Sequence, residues 1–167
     1  MENPVRRYAL VLFIGLLLGT GFGFVLGIFV YPFIFLSDVV ATEPVASDAK
    51  RVAVATGQFI HANPSDPIHW GKGNVKVYPD LVYLEADFEV GPGPKYHVYL
   101  VPEAEVTPST AVEKTMFIDL GRLKAFKGSQ NYPIPPGIDL KKYPHVVIWC
   151  EQFSVLISPA RLQPAQQ

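Results

Sequence analysis

One cysteine and four histidines carry most of the chemistry open to this chain. Cys150 lies in "YPHVVIWCEQFSVLIS", residues 143–158, between Trp149 and Glu151. A single thiol cannot close an internal disulfide, so four roles stay open for it. It is a buried structural thiol, a reactive redox thiol, a ligand to a metal or haem, or one half of an intermolecular disulfide. No Lys, Arg or His follows within three residues, so sequence neighbours do nothing to lower its pKa.

The histidines are His61, His69, His97 and His145. A haem bound without covalent attachment needs an axial ligand from His, Cys or Met. His69 and His97 are the candidates to join Cys150 around a bound group, although no spacing marks a pair. The expected cofactor is haem or none. No metal site is expected. A blue-copper centre needs His and Met close behind the cysteine, and neither is there. CxxC and CxxCH are absent, which removes cysteine-rich zinc sites, thioredoxin-like chemistry and c-type haem. Hydrolytic chemistry has no GxSxG, and "GPGPK" at 91–95 lacks the spacing of a phosphate loop. Whether the chain is an enzyme stays open, with a non-catalytic electron-transfer or binding module favoured.

The elements that position these residues read as follows. "YALVLFIGLLLGTGFGFVLGIFVYPFIFL", residues 8–36, holds no charge. About 20 apolar residues cross a bilayer core as a helix. A secretory signal has a shorter apolar core, about 7–15 residues. Arg6 and Arg7 precede the span, and Asp38, Glu43 and Asp48 follow it. The positive-inside rule therefore puts residues 1–7 in the cytoplasm and everything after Leu36 in the periplasm or outside the cell. Gly15, Gly19, Gly23 and Gly27 recur every fourth residue and form one ridge, where a membrane partner or a second copy of the chain could pack. Charge is nearly balanced and no basic cluster exceeds a pair, so nucleic acid is not expected as a partner.

Residues 37–51 are polar without a period and read as a flexible stalk. From 52 to 163, Pro and Gly punctuate short alternating runs such as "NVKVY", "LVYLEADF", "KYHVYLV" and "HVVIWC". Period two marks half-buried strands, and several of them in about 110 residues suggest an all-β fold, an antiparallel sandwich or barrel. Val146, Ile148 and Cys150 share one face of their strand, Val147 and Trp149 the other, and both faces are apolar. That strand is expected to be central and covered on both sides. Residues 164–167 read as a frayed tail.

Asp119 to Leu162 also resembles the DM-thirteen domain family, through "DLGRLK", "GSQNYPIP", "VVIWCEQFSV" and "ARL". Upstream, "TGQFIHANPSDPIHWGKGNVKVY" and "LEADFEVGPGPKYHVYL" fit the family's opening, and the resemblance runs from about Ala55 to Leu162. Two positions depart from the usual pattern, Ala125 and Ile157. The resemblance implies a β-sandwich module, often found beside DOMON-type modules and proposed to act in electron transfer. It also implies that Cys150 is the redox centre, as a bare thiol or by binding a prosthetic group such as haem. A membrane-anchored redox accessory module is the expectation. The alternative is a non-redox interaction or ligand-binding sandwich with a structural cysteine.

Overall fold

Pro4 has no amide hydrogen to leave unpaired and a φ already helical, so it suits the first helical position. From it the helix α1 runs Pro4–Tyr31, 28 residues with no buried side chain. At about 1.5 Å per residue that is roughly 42 Å. It is one helix long and apolar enough to cross a membrane. The computed structural model describes residues 4–31, 34–35, 37–45 and 52–165. The expected span 8–36 thus maps onto a helix that starts earlier and ends at Tyr31, and residues 32, 33 and 36 lie outside the described set.

Ten strands follow: β1 (Val40–Thr42), β2 (Ala55–Phe59), β3 (Gly71–Tyr78), β4 (Leu81–Leu84), β5 (Glu89–Val90), β6 (Tyr96–Val101), β7 (Ile118–Arg122), β8 (Lys127–Pro133), β9 (His145–Cys150) and β10 (Val155–Pro164). They form one sheet in the order β1-β8-β4-β3-β2-β10-β9-β6-β7, with β5 bridging β3 and β8. Every pairing is antiparallel except β1 on β8. The all-β expectation behind an apolar helix holds. Inward residues from both halves of the sheet meet in one core that includes Phe59, Val75, Leu84, Val98, Tyr132, Ile148 and Ile157. A side chain such as Ile148, with no exposed surface, contributes about 1.5–3 kcal/mol by burial. Truncating it to Ala costs about 2–5 kcal/mol.

All six residues of β9 are buried. Val146, Ile148 and Cys150 enter the main core, while Val147 and Trp149 enter a second cluster with Tyr99, Val106, Val112 and Leu156. The loop between β6 and β7, with its single 3-10 turn at Val112–Lys114, covers that second face. A strand with apolar residues on both faces thus lies between β6 and β10, as its pattern requires.

Three local expectations are corrected. The segment 37–51 is not a free coil throughout, because β1 pairs with β8 and Glu43 is fastened there. Its carboxylate accepts from Lys124 Nζ at 2.7 Å and from the Asn131 backbone N–H at 2.8 Å, while its own N–H donates to Ser129 O. Residues 46–51 lie outside the described set. The strand read across "LVYLEADF" stops at Leu84. Phe88 N–H turns back to Glu85 O and Asp87 accepts from Asn74 N–H, yet Phe88 still reaches the core. The tail does not begin at 164: β10 includes Pro164, and Ala165 N–H donates to Val54 O. Residues 166–167 lie outside the described set. Pro159 sits inside β10, where a proline is normally excluded, next to a register shift between Leu156 and Ser158.

Candidate functional site

Cys150 ends β9 with its side chain inward and 1% of its surface exposed. Across the sheet it faces Tyr96 of β6 on one side and Val155 of β10 on the other. The thiol donates to Pro94 O at 3.3 Å. That acceptor belongs to the stiff "GPGPK" loop, which leaves through Lys95 at φ 49°. Gly93 is required in this loop, since a Cβ there would run into the Tyr96 phenol oxygen. On the far side the chain turns over Glu151–Ser154, with Ser154 at φ 50°.

Burial pushes the Cys150 thiol up, and the Glu151 charge adds to this. The Phe153 and Gln152 backbone N–H groups act in the opposite sense without reversing it. The thiol is therefore protonated at neutral pH. Burial likewise raises the neighbouring Tyr96 phenol far above its ordinary range. The arrangement is a neutral, buried Cys–Tyr pair.

A cavity of about 40 Å³ adjoins the sulfur. Ile68, His69, Pro92 and Tyr96 form its wall, and Phe153 with Phe29 of α1 closes it. The two phenyl rings stack at 5.6 Å with an interplanar angle of 9°. The last turns of the apolar helix thus lie directly over the thiol end of the sheet. Such a volume holds a water or two. Small-molecule sites usually need about 300–1,000 Å³. A haem does not fit against Cys150 in this arrangement.

Of the two candidate co-ligands, only His69 shares this cavity. Its Nδ1 lies 2.6 Å from Asp66 Oδ2, and Asp66 also accepts from the Ile68 and His69 backbone N–H groups. The His69 hydrogen bond, followed by those two N–H donors, holds the Asp66 carboxyl down to about 2. His97 is not brought to the sulfur. It follows Tyr96 on β6, so it projects to the opposite face. There its Nδ1 lies 3.1 Å from both Asp119 carboxylate oxygens and its Nε2 3.4 Å from Glu151 Oε2. His61 contacts Asp66 O through Nε2 at 2.7 Å, and Met116 is exposed. His145 is buried against Glu103 O, and burial depresses its pKa.

The four ridge glycines face open space, with nothing within 4 Å of a Cβ built on any of them. Gly23 and Gly27 also line a crevice of about 530 Å³ between α1 and the domain, opposite Pro94, Arg122 and Gln152. A larger groove, about 610 Å³, runs across β2, β3 and β10 beside Glu105, His145 and Arg161.

Two residues that share the thiol's cavity were missed by sequence reading, Tyr96 and Phe29. The Tyr96 contact had a signal in "GPGPKY", where a proline-stiffened loop opens the neighbouring strand. The Phe29 contact had none. A third residue, Gln130, is fully buried and works as a staple. Its Oε1 accepts from Lys124 N–H, Ala125 N–H and the Tyr132 hydroxyl, and its Nε2 donates to Ala125 O. It holds the turn between β7 and β8 closed beside Tyr96 and Phe126, whose rings meet edge to face.

A family model described as "Electron transfer DM13" matches residues 64–162, more than half of the chain. No curated protein and no solved structure matches it.

Proposed function

The chain belongs to the electron-transfer DM13 family, and we propose that it is a membrane-anchored redox module, held outside the cytoplasm, whose electron-carrying group is Cys150. The observation that carries this reading is the shared cavity: the sulfur and Phe29 of the apolar helix line the same space. The sole thiol lies at the end of the sheet where the anchor meets the domain, the shortest route to a partner in the bilayer. Arg6 and Arg7 in the first turns of the helix, before its uncharged run, with Asp38 and Glu43 after it, favour an outer location for the domain. The open ridge of Gly15, Gly19, Gly23 and Gly27 suits close approach by a membrane partner or a second copy.

Because the thiol is protonated, its electron leaves together with its proton. Oxidation by a one-electron acceptor in the membrane converts the S–H group into a thiyl radical and a released proton, and reduces the acceptor by one electron. The Phe153–Phe29 cover limits access of bulk solvent and competing thiols to the oxidised sulfur. No haem step is included, since the cavity does not admit one.

A second reading has its own support. Burial of Cys150 to 1% and its bond to Pro94 O suit a structural thiol. In that case the polar groove beside Glu105, His145 and Arg161 would be the binding surface of an interaction module. Voltammetry of full-length protein in lipid nanodiscs separates the two. A redox wave lost in Cys150→Ser supports the first. An electro-inactive protein whose thiol reacts only after denaturation sinks it. Protease protection of a C-terminal tag in intact cells checks the side of the membrane.

A further inference from the structure

On the face of the sheet opposite the thiol, three strands bring three ligand-bearing side chains together. His97 comes from β6, Asp119 from β7, and Glu151 follows β9 directly. One ligand atom from each lies within 4.8 Å of the other two. The register between β6 and β7 shifts between His97 and Tyr99, and in that shifted register Tyr99 pairs with Asp119. His97 is half-buried, whereas the two carboxylates reach solvent.

The carboxylates are held from outside the trio. Tyr99 donates its hydroxyl to Glu151 Oε1 at 2.8 Å, leaving Oε2 toward His97. The Gly121 backbone N–H donates to Asp119 Oδ1 at 2.8 Å. The Tyr99 ring is fixed in turn by stacking on Phe117 at 4.3 Å. Orientation of ligands by outer hydrogen bonds is the usual support of a metal centre. Among the described residues, the ion-pair partner of Asp119 and of Glu151 is this one imidazole. Two carboxylates thus converge on one ring, and among the described residues no Lys or Arg forms an ion pair with either.

We propose that His97, Asp119 and Glu151 form a binding site for a divalent transition-metal ion. One imidazole and two carboxylates make an N/O donor set, which suits Zn²⁺, Mn²⁺, Fe²⁺ or Cu²⁺. Ca²⁺ is disfavoured, since it takes six to eight oxygen ligands. Bonds of about 2.0–2.2 Å to three ligands place those atoms roughly 3.4 Å apart. Asp119 lies on the Nδ1 side of the ring and Glu151 on the Nε2 side, and an ion takes one ring nitrogen, so closing the site needs one carboxylate to swing from its own nitrogen to the shared ion. The remaining coordination position faces solvent and takes water. Cys150 takes no part, because its sulfur points into the core on the other face. The site is thus independent of the redox reading.

The test uses full-length protein in detergent micelles, titrated with Zn²⁺ by calorimetry and with Co²⁺ by visible absorption. The expected result is one ion per chain, with Co²⁺ d–d bands of N/O coordination. Asp119→Asn and Glu151→Gln each weaken binding by at least about 10-fold, and Tyr99→Phe, which frees only the outer hydrogen bond, weakens it by about 10-fold. Cys150→Ser and His69→Ala bind as wild type, and near-ultraviolet circular dichroism verifies that each variant is folded. Absence of stoichiometric binding overturns the proposal. So does unchanged affinity in folded Asp119→Asn, or a ¹⁵N spectrum in which both His97 ring nitrogens stay protonated when metal is added. That last result would identify an imidazolium clasped between two carboxylates instead.

Discussion

Replacing Phe153 by Ala should open the cover over Cys150 without unfolding the domain. Phe153 is half exposed, so little core is lost, but its ring supplies the stack on Phe29 that closes the cavity. An aromatic pair of this kind contributes about 0.5–1.5 kcal/mol beyond its buried area. Since about 1.4 kcal/mol is tenfold, the open population rises roughly 2- to 13-fold. With one cysteine in the chain, the reaction of a disulfide reagent reports on this sulfur alone. Stopped-flow labelling of full-length protein in nanodiscs should therefore be roughly 2- to 13-fold faster in Phe153→Ala, because labelling follows the open population when reclosing is fast. Phe29→Ala should give a similar factor, and the double variant little more than either alone. The wild-type rate should keep climbing at alkaline pH, since burial holds the thiol pKa above its ordinary value. Equal labelling rates in wild type, Phe29→Ala and Phe153→Ala would refute the claim that the helix closes the site. An effect of Phe153→Ala without one from Phe29→Ala would put the cover in the turn alone.

Gln130→Leu should destabilise the domain by about 3–5 kcal/mol in denaturant unfolding, because it strands the Ala125 N–H and carbonyl and takes the acceptor from the Tyr132 hydroxyl at about 1–3 kcal/mol each before relaxation, while the Lys124 N–H keeps the Tyr132 oxygen. Burial resists ionisation of Glu43, but the Lys124 and Asn131 donors outweigh it and hold the carboxyl below its ordinary value. Its contribution is therefore complete above about pH 4.3 and is lost as pH falls through the lower folded value. The hydrogen-exchange protection factor at Ala41–Glu43, corrected for the intrinsic pH dependence of exchange, should fall on acidification, and Glu43→Gln should lower it above that pH range but not below it, by the loss of about 1 kcal/mol expected for a partly solvated ion pair. His145 is held neutral by burial, so the unfolded chain binds a proton first as pH drops. Stability should fall below about pH 6.5, and His145→Gln should flatten the denaturation midpoint over that range.

The parts of the fold that were legible share one cause: each was written in a local pattern. Two apolar faces on "HVVIWC" required a covered strand, and β9 is buried on both sides. The uncharged run 8–36 required an apolar helix, and the helix is there. The parts that were not legible depend on tertiary partners. Val39–Thr42 has no period and exposed valines, and β1 exists because Glu43 finds Lys124 and Asn131 more than 80 positions away. "LVYLEADF" alternates through Phe88, yet the strand ends early because Asp87 bonds Asn74 across a turn. At the site, the thiol was legible as a residue but its surroundings were not. His97 and Asp119 are 22 positions apart, and only a register shift next to a strand pairing brings them together with Glu151. No spacing rule anticipates that.

The short parallel strand β1 has a practical consequence. Strand β8 would otherwise present bare backbone groups at Lys127–Ser129, and an uncovered strand edge recruits other chains by the same hydrogen bonds. The segment that follows the apolar helix caps that edge. A recombinant piece beginning at Val52 would lose the cap and offer a template for edge-to-edge aggregation, whereas one beginning at Ser37 would keep it. The short strand after the helix thus also guards an edge, and size-exclusion chromatography of the two pieces should show the one beginning at Val52 associating more than the one beginning at Ser37.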